Sequence, residues 1–282
     1  MDSALPRRCH DTLEPIASAI FAAPELQEHL TGIGLDRGRM CAYAGRAAPL
    51  GRVGTGVVTA TFYTAGPGLI ARFFPHAWTL ADPADVLAAQ RAAVDALLRR
   101  VLGPEIIESE ELAELAKLAR TAAESGRPEG RPLYAAGADL DWPAEPHVAL
   151  WHAAILLREH RGDGHVAALV DAELPGLAAV VTHAGAGTGY TADLLRRVRG
   201  WTEQEWAAGA ADLRAKGILD DNGSLTASGT ALRQRIEATT DRLATAPWAA
   251  LGVDRTERLL TLAAAIRATV LAAGVLPAGL YD

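Results

Sequence analysis

Apolar positions recur at helical spacing along most of this chain, and glycine and proline punctuate the pattern. Leu13, Ile16, Ala17, Ile20 and Phe21 predict an opening helix. Pro24 starts a second helix, which runs through Leu30 and ends at Gly32 and Gly34. The stretch Gly45-Arg46-Ala47-Ala48-Pro49-Leu50-Gly51 reads as a loop with little freedom. Residues 55–65 fit two patterns: Val57, Val58, Thr59, Thr61, Phe62 and Tyr63 favour a strand, while the alanine content and length also suit a buried helix. Pro83 stands near the start of a helix reaching about Leu102. Residues 104–125 form an acidic amphipathic helix with Ile106, Leu112, Leu115 and Leu118 on its apolar side. The run Ser-Gly-Arg-Pro-Glu-Gly-Arg-Pro at 125–132 is the clearest linker. It divides the chain into a helical N-terminal domain (1–125), a linker (126–144) and a second domain (145–282).

The second domain opens with a helix from about Glu145 to His160. Arg161-Gly162-Asp163-Gly164 is expected to break it, with Asp163 capping the next helix at 164–172. A further helix spans Leu174 to His183, and a glycine-rich turn follows at 185–189. Thr191–Val198 is a short helix ended by Gly200. Thr202 and Glu205 then form a capping-box pair at the head of a longer helix, which turns Trp206, Ala210, Leu213 and Ile218 inward and closes at Gly217. Residues 218–226 predict a hairpin around Asn222-Gly223. Ser228-Gly229 opens another helix carrying Leu232, Ile236, Thr240 and Leu243.

This order of helix, turn, helix and hairpin resembles the winged helix of MarR-like proteins, above all in LRAKGILDDNGSLTASGTALRQRIE at 213–237. The segments AGRAAPLG (44–51), LWHAAILLREHRGDGHVAAL (150–169), LPGLAAVVTHA (174–184) and TDRLATAPWAALG (240–252) are similar to an actinobacterial family of helix-turn-helix proteins. The resemblance implies a mainly α fold. A MarR-like winged helix-turn-helix unit near 189–243, with a small β-wing, would be packed on a helical N-terminal domain. It implies no catalytic residues.

Charge changes the functional picture. The formal net charge is −7, and lysine occurs only at Lys117 and Lys216. A protein dedicated to nucleic acid normally presents a basic face to the phosphates. Here the expected recognition helix begins Glu203-Gln204-Glu205, the wing tip carries Asp220, Asp221 and Asn222, and the basic run nearby is Arg196, Arg197 and Arg199. DNA binding is therefore expected to be weak or lost, leaving the winged helix as a scaffold or dimer element. Cys9 and Cys41 make no disulfide framework, Met1–His10 has no apolar leader, and the apolar run Leu259–Leu276 is interrupted by Arg267. A cytoplasmic protein without a membrane partner follows as the expectation.

Candidate chemistry lies in two groups. His152 and Glu159, seven apart on one helix, share a stripe, with His160 offset and His165 beyond the glycine break. His152 and Glu159 are the candidate acid–base pair. Arg46 in its glycine–proline loop suits an anion clamp, and Tyr63, His76 and Trp78, with His160 and His165, are candidate ligand contacts. No HExxH pattern or cysteine pair supports a metal, no cofactor is assigned, and no GxSxG elbow is present. The GxGxG at 185–189 departs from the dinucleotide spacing and lacks surrounding β-α-β units. The leading expectation is a homodimer that binds a small molecule on a winged-helix scaffold, with an enzyme of specialised metabolism as one form of it. The alternative is a MarR-like, ligand-responsive transcriptional regulator.

Overall fold

The computed structural model describes residues 4–187 and 191–277. In chain order the helices are α1 (Leu5–Ala22), α2 (Pro24–Gly32), α3 (Arg39–Ala47), α4 (Thr55–Thr61), α5 (Pro67–Phe73), α6 (Ala77–Leu80), α7 (Pro83–Ile107), α8 (Glu110–Glu124) and α9 (Pro132–Ala138). They continue with α10 (Pro146–Asp171), α11 (Gly176–Gly185), α12 (Ala192–Arg199), α13 (Glu203–Ala215), α14 (Ala227–Leu243), α15 (Ala246–Leu251) and α16 (Val253–Ala272). Proline stands in the first turn of α1, α2, α5, α7, α9 and α15, where its missing N–H has no helical partner to lose. The ambiguous 55–65 segment is helical in α4. Among the described residues no single helix is long and apolar enough to cross a membrane.

The chain forms two compact units, each made of discontinuous segments. The first holds the described residues of Met1–Arg52, Ala77–Asp163 and Asp241–Asp282. In it α1 packs on α16, α2 on α7, and α8 against α15 and α16. Ile16, Ile20, Leu26, Leu30, Leu97, Leu112, Leu115, Leu150 and Leu156 are fully buried there. At about 25 cal/mol per Å² of apolar surface, each such leucine or isoleucine contributes roughly 1.5–3 kcal/mol.

The second unit holds Val53–His76 and Gly164–Thr240. Its core is Ala168, Leu169, Leu174, Ala179, Val181, Ala210, Leu213, Leu219 and Ile236, with Tyr63, Trp206, Leu225 and Leu232 packed around it. The predicted helix-turn-helix is present in this unit. Thr191 caps α12, Gly200 ends it in the left-handed region at φ 76°, and Thr202 with Glu205 forms the full capping box of α13.

The expected β-wing is not there. Among the described residues the 218–226 segment makes one isolated antiparallel bridge, Leu219 with Leu225, and no strand. Two ladder bonds flank that bridge, from the Asp220 N–H to the Ser224 carbonyl at 2.9 Å and from the Thr226 N–H to the Ile218 carbonyl at 3.0 Å. The Asp220 carboxylate takes the Ser224 N–H at 2.9 Å, which draws that amide away from the next ladder bond, and the hairpin closes as a turn. The Leu225 N–H faces the other edge and donates to the Gly185 carbonyl of α11 at 3.1 Å. The mainly α part of the expected fold holds; the winged part does not.

The helix break expected at 161–164 is absent as well. Helix α10 runs unbroken through Gly162, Asp163 and Gly164. Two helical glycines cost about 1 kcal/mol each relative to alanine. Burial of Leu157, Ala168 and Leu169 on the same helix offsets that cost. Asp163 does cap a helix, but a different one: its carboxylate accepts the Tyr134 N–H in the first turn of α9 at 3.0 Å. Thr188 and Gly189 of the glycine-rich turn lie outside the described residues, and the described part, Gly185–Gly187, ends α11.

Candidate functional site

His152 and Glu159 stand two turns apart on α10 and are both buried. Both line a cavity of about 210 Å³ inside the first unit, together with Phe21 of α1, Arg46 of α3, Gln90 of α7 and Trp151 of α10. An engineered apolar cavity of about 150 Å³ holds benzene, so this space takes a ring with substituents. Close helix approach shapes it. A Cβ on Gly45 of α3 would lie 2.8 Å from Gln90 Nε2 on α7, and one on Gly137 of α9 would lie 2.8 Å from Leu156 Cδ2 on α10.

One wall is a charge network. Arg46 donates to both Glu159 oxygens at 2.9 Å, and Arg158 donates to Glu159 Oε1 at 2.9 Å and to Glu14 Oε1 at 3.0 Å. Burial works to raise the Glu159 carboxyl, but the Arg46 and Arg158 guanidiniums outweigh it and hold the group below its ordinary range. Glu159 is thus a fixed carboxylate, a poor proton carrier near neutrality. Arg46 spends its fork on that carboxylate rather than facing a bound anion alone. The same guanidinium network leans on the wall aromatic: Arg158 lies 5.9 Å from the Phe21 ring centre.

His152 differs. Its Nε2 is buried without a hydrogen-bond partner among the described residues. Its ring meets Trp142 edge to face at 4.8 Å, and Arg120 sits over that indole at 4.6 Å. Burial first, then the charges of Arg91 and Arg120, lower its pKa to about 4. The imidazole is neutral at physiological pH and keeps one donor and one acceptor nitrogen. Gln90, also buried, lines the same cavity, and its amide makes no hydrogen bond to a described residue. Gln90 is not among the residues expected from the sequence. Its signal was a polar side chain on the stripe Val86, Gln90, Ala93, Val94 and Leu97 that α7 buries.

Arg46, His152 and Glu159 are therefore brought together, and the other predicted contacts are not. Trp78 is buried in the first unit away from this cavity, its carbonyl accepting from Arg52 at 2.6 Å. Tyr63 belongs to the second unit and donates to the Leu174 carbonyl at 3.0 Å. His76 is an exposed residue of that unit. His165 is there too, with Nδ1 2.9 Å from Thr240 Oγ1. The Thr240 hydroxyl gives its proton to the Ile236 carbonyl, so His165 Nδ1 is the donor of that pair. His160 meets Tyr134 edge-on at 5.0 Å and lines a separate cavity of about 20 Å³ with His10 and Arg161. That space fits about one water molecule.

Among the described residues of the helix-turn-helix surface, carboxylates hold Arg196, Arg197 and Lys216, but not Arg199 or Arg214. Glu203, Gln204 and Glu205 are exposed at the head of α13, and Glu205 is engaged in the capping box. Arg196 is held by Asp193 at 2.9 Å and Glu203 at 3.2 Å, Arg197 by Asp193 at 2.9 Å, and Lys216 by Asp212 at 2.8 Å.

A model of a helix-turn-helix family matches residues 6–277. No curated protein and no solved structure matches the chain.

Proposed function

The chain belongs to this helix-turn-helix family, whose scaffold is of the DNA-binding type, and we propose that its first unit binds a small, partly apolar molecule in the α3–α7–α10 cavity. The observation that carries the reading is a cavity of about 210 Å³ walled by apolar side chains and by His152 and Gln90. Pockets of this make, mainly apolar with a few polar groups, are the usual form of small-molecule sites. The test is calorimetric titration of 2-naphthol into the unaltered protein and into Leu87→Trp, which fills the lining. We expect measurable binding and at least a tenfold loss in the variant. No binding, or binding indifferent to the filled lining, removes the reading.

The helix-turn-helix then serves as a scaffold, or as a dimer element joining two copies of the chain. The second reading is a ligand-responsive regulator of the MarR-like kind, favoured by the well-capped α12–Gly200–α13 turn. Against it stand the carboxylates at the head of α13 and the intramolecular pairing of Arg196 and Arg197. Fluorescence anisotropy on a mixed-sequence duplex decides between them. Affinity no tighter than about 10 µM at 100 mM salt fits the scaffold reading, whereas nanomolar, steeply salt-dependent binding establishes the regulator.

A further inference from the structure

The groups that face the cavity restrict what it accepts. Its charged lining residues are Arg46, Arg91, Glu159 and Asp141, two guanidiniums against two carboxylates. Glu159 occupies Arg46 through three contacts of 3.2 Å or less. Arg91 donates to the Asp141 carbonyl at 3.1 Å. An anion entering here meets an Arg46 already held by Glu159 and an Arg91 engaged by a main-chain carbonyl, and the formal charges of the lining cancel. The balance rewards neither charge.

The remaining polar groups are His152, 6 % exposed with an orphaned Nε2, and Gln90, 5 % exposed. A buried polar group left unpaired is costly, and a partner on the ligand recovers that cost. Around them stand flat or branched apolar surfaces, Trp151, Phe21, Leu87 and Ile155. Trp151 is fixed by its own bond, Nε1 donating to the Ala17 carbonyl at 3.2 Å, so it presents a wall that does not turn to meet a ligand.

We infer that the cavity selects a neutral aromatic molecule of one or two rings bearing a hydrogen-bond donor, a phenolic hydroxyl or an equivalent ring N–H, which is received by the His152 imidazole with Gln90 as its neighbour. The inference rests on the cavity reading above and specifies its ligand class. Burial and the nearby guanidiniums keep the imidazole neutral, so one of its ring nitrogens stays an acceptor.

The experiment uses three probes on one ring system: 2-naphthol, naphthalene and 2-naphthoate. They are titrated into the full chain and into His152→Leu and His152→Gln, each first checked for a native melting transition. The inference expects 2-naphthol to bind at least tenfold tighter than naphthalene or 2-naphthoate. It expects His152→Leu to erase that advantage and His152→Gln, which keeps an acceptor, to restore part of it. A ¹⁵N-histidine spectrum of the unaltered protein reads the same contact without a variant, as a shift of the His152 resonance when 2-naphthol is added. Equal binding of naphthol and naphthalene, both lost in Leu87→Trp, overturns the ligand class while the cavity reading stands. Tightest binding of 2-naphthoate overturns the class in favour of anions. Binding of none of the three overturns both.

Discussion

Asp163 shows how much one side chain on α10 governs. It is buried, and burial chiefly raises its pKa to about 6, against the pull of the Tyr134 amide it accepts from. A group raised in the folded state contributes its stability in full below its unfolded value near 3.9 and loses it as pH climbs through about 6. The ionised carboxylate is therefore a burden at neutrality, on the order of 3 kcal/mol at one pKa unit per about 1.4 kcal/mol. Asp163→Asn should gain on the unaltered protein as pH rises from 4 to 6 and keep a constant difference above that, measured by urea melts across the range. A flat difference sinks the argument. Gly200, in contrast, has one permitted identity. Its φ is 76°, and a Cβ would lie 2.5 Å from the Leu69 Cβ. Gly200→Ala should lose roughly 2 kcal/mol or more, because left-handed strain and a clash with an anchored side chain add.

Among elements, α13 was the most readable from sequence and the 218–226 segment the least. Thr202 and Glu205 announce a helix start through bonds they make to each other's backbone, and local bonds of that kind leave a spacing in the sequence. Thr202→Ala should cost about 1 kcal/mol and speed amide exchange in the first turn of α13, with α11 unaffected. The short hairpin depends on the Asp220 side chain, whose carboxylate takes the Ser224 N–H. A carboxylate that competes for a main-chain amide leaves no mark in the apolar pattern, and Asn222-Gly223 alone favoured a ladder. The unbroken α10 has a different cause. Gly162 and Gly164 look like a break until their helix is seen to be buried, with Asp163 reaching to α9. The cavity was partly readable for the same reason in reverse: His152 and Glu159 share a stripe on one helix, whereas Gln90 joins them only once α7 is packed.

At the scale of the molecule, acid sensitivity follows from its buried histidines. His152 and His160 are each lowered to about 4, by burial first and then by nearby guanidiniums. The unfolded chain takes up those protons near pH 6.5 and the folded chain does not, so stability falls from about pH 6.5 down to about 4 and levels off below. Asp163 acts in the opposite direction over part of that window, but two histidines outweigh one carboxyl. Urea melts at pH 7 and pH 4.5 should differ by a few kcal/mol, and the difference should shrink in His160→Asn. Finally, α1 packs against α16, at the far end of the sequence. A ribosome adding about 5–20 residues per second has released α1 on the order of ten seconds or more before α16 exists. During that interval α1, which carries the buried Leu13, Ile16 and Ile20, lacks its α16 partner, and a nascent chain halted before residue 253 is a ready client for a hydrophobic-binding chaperone.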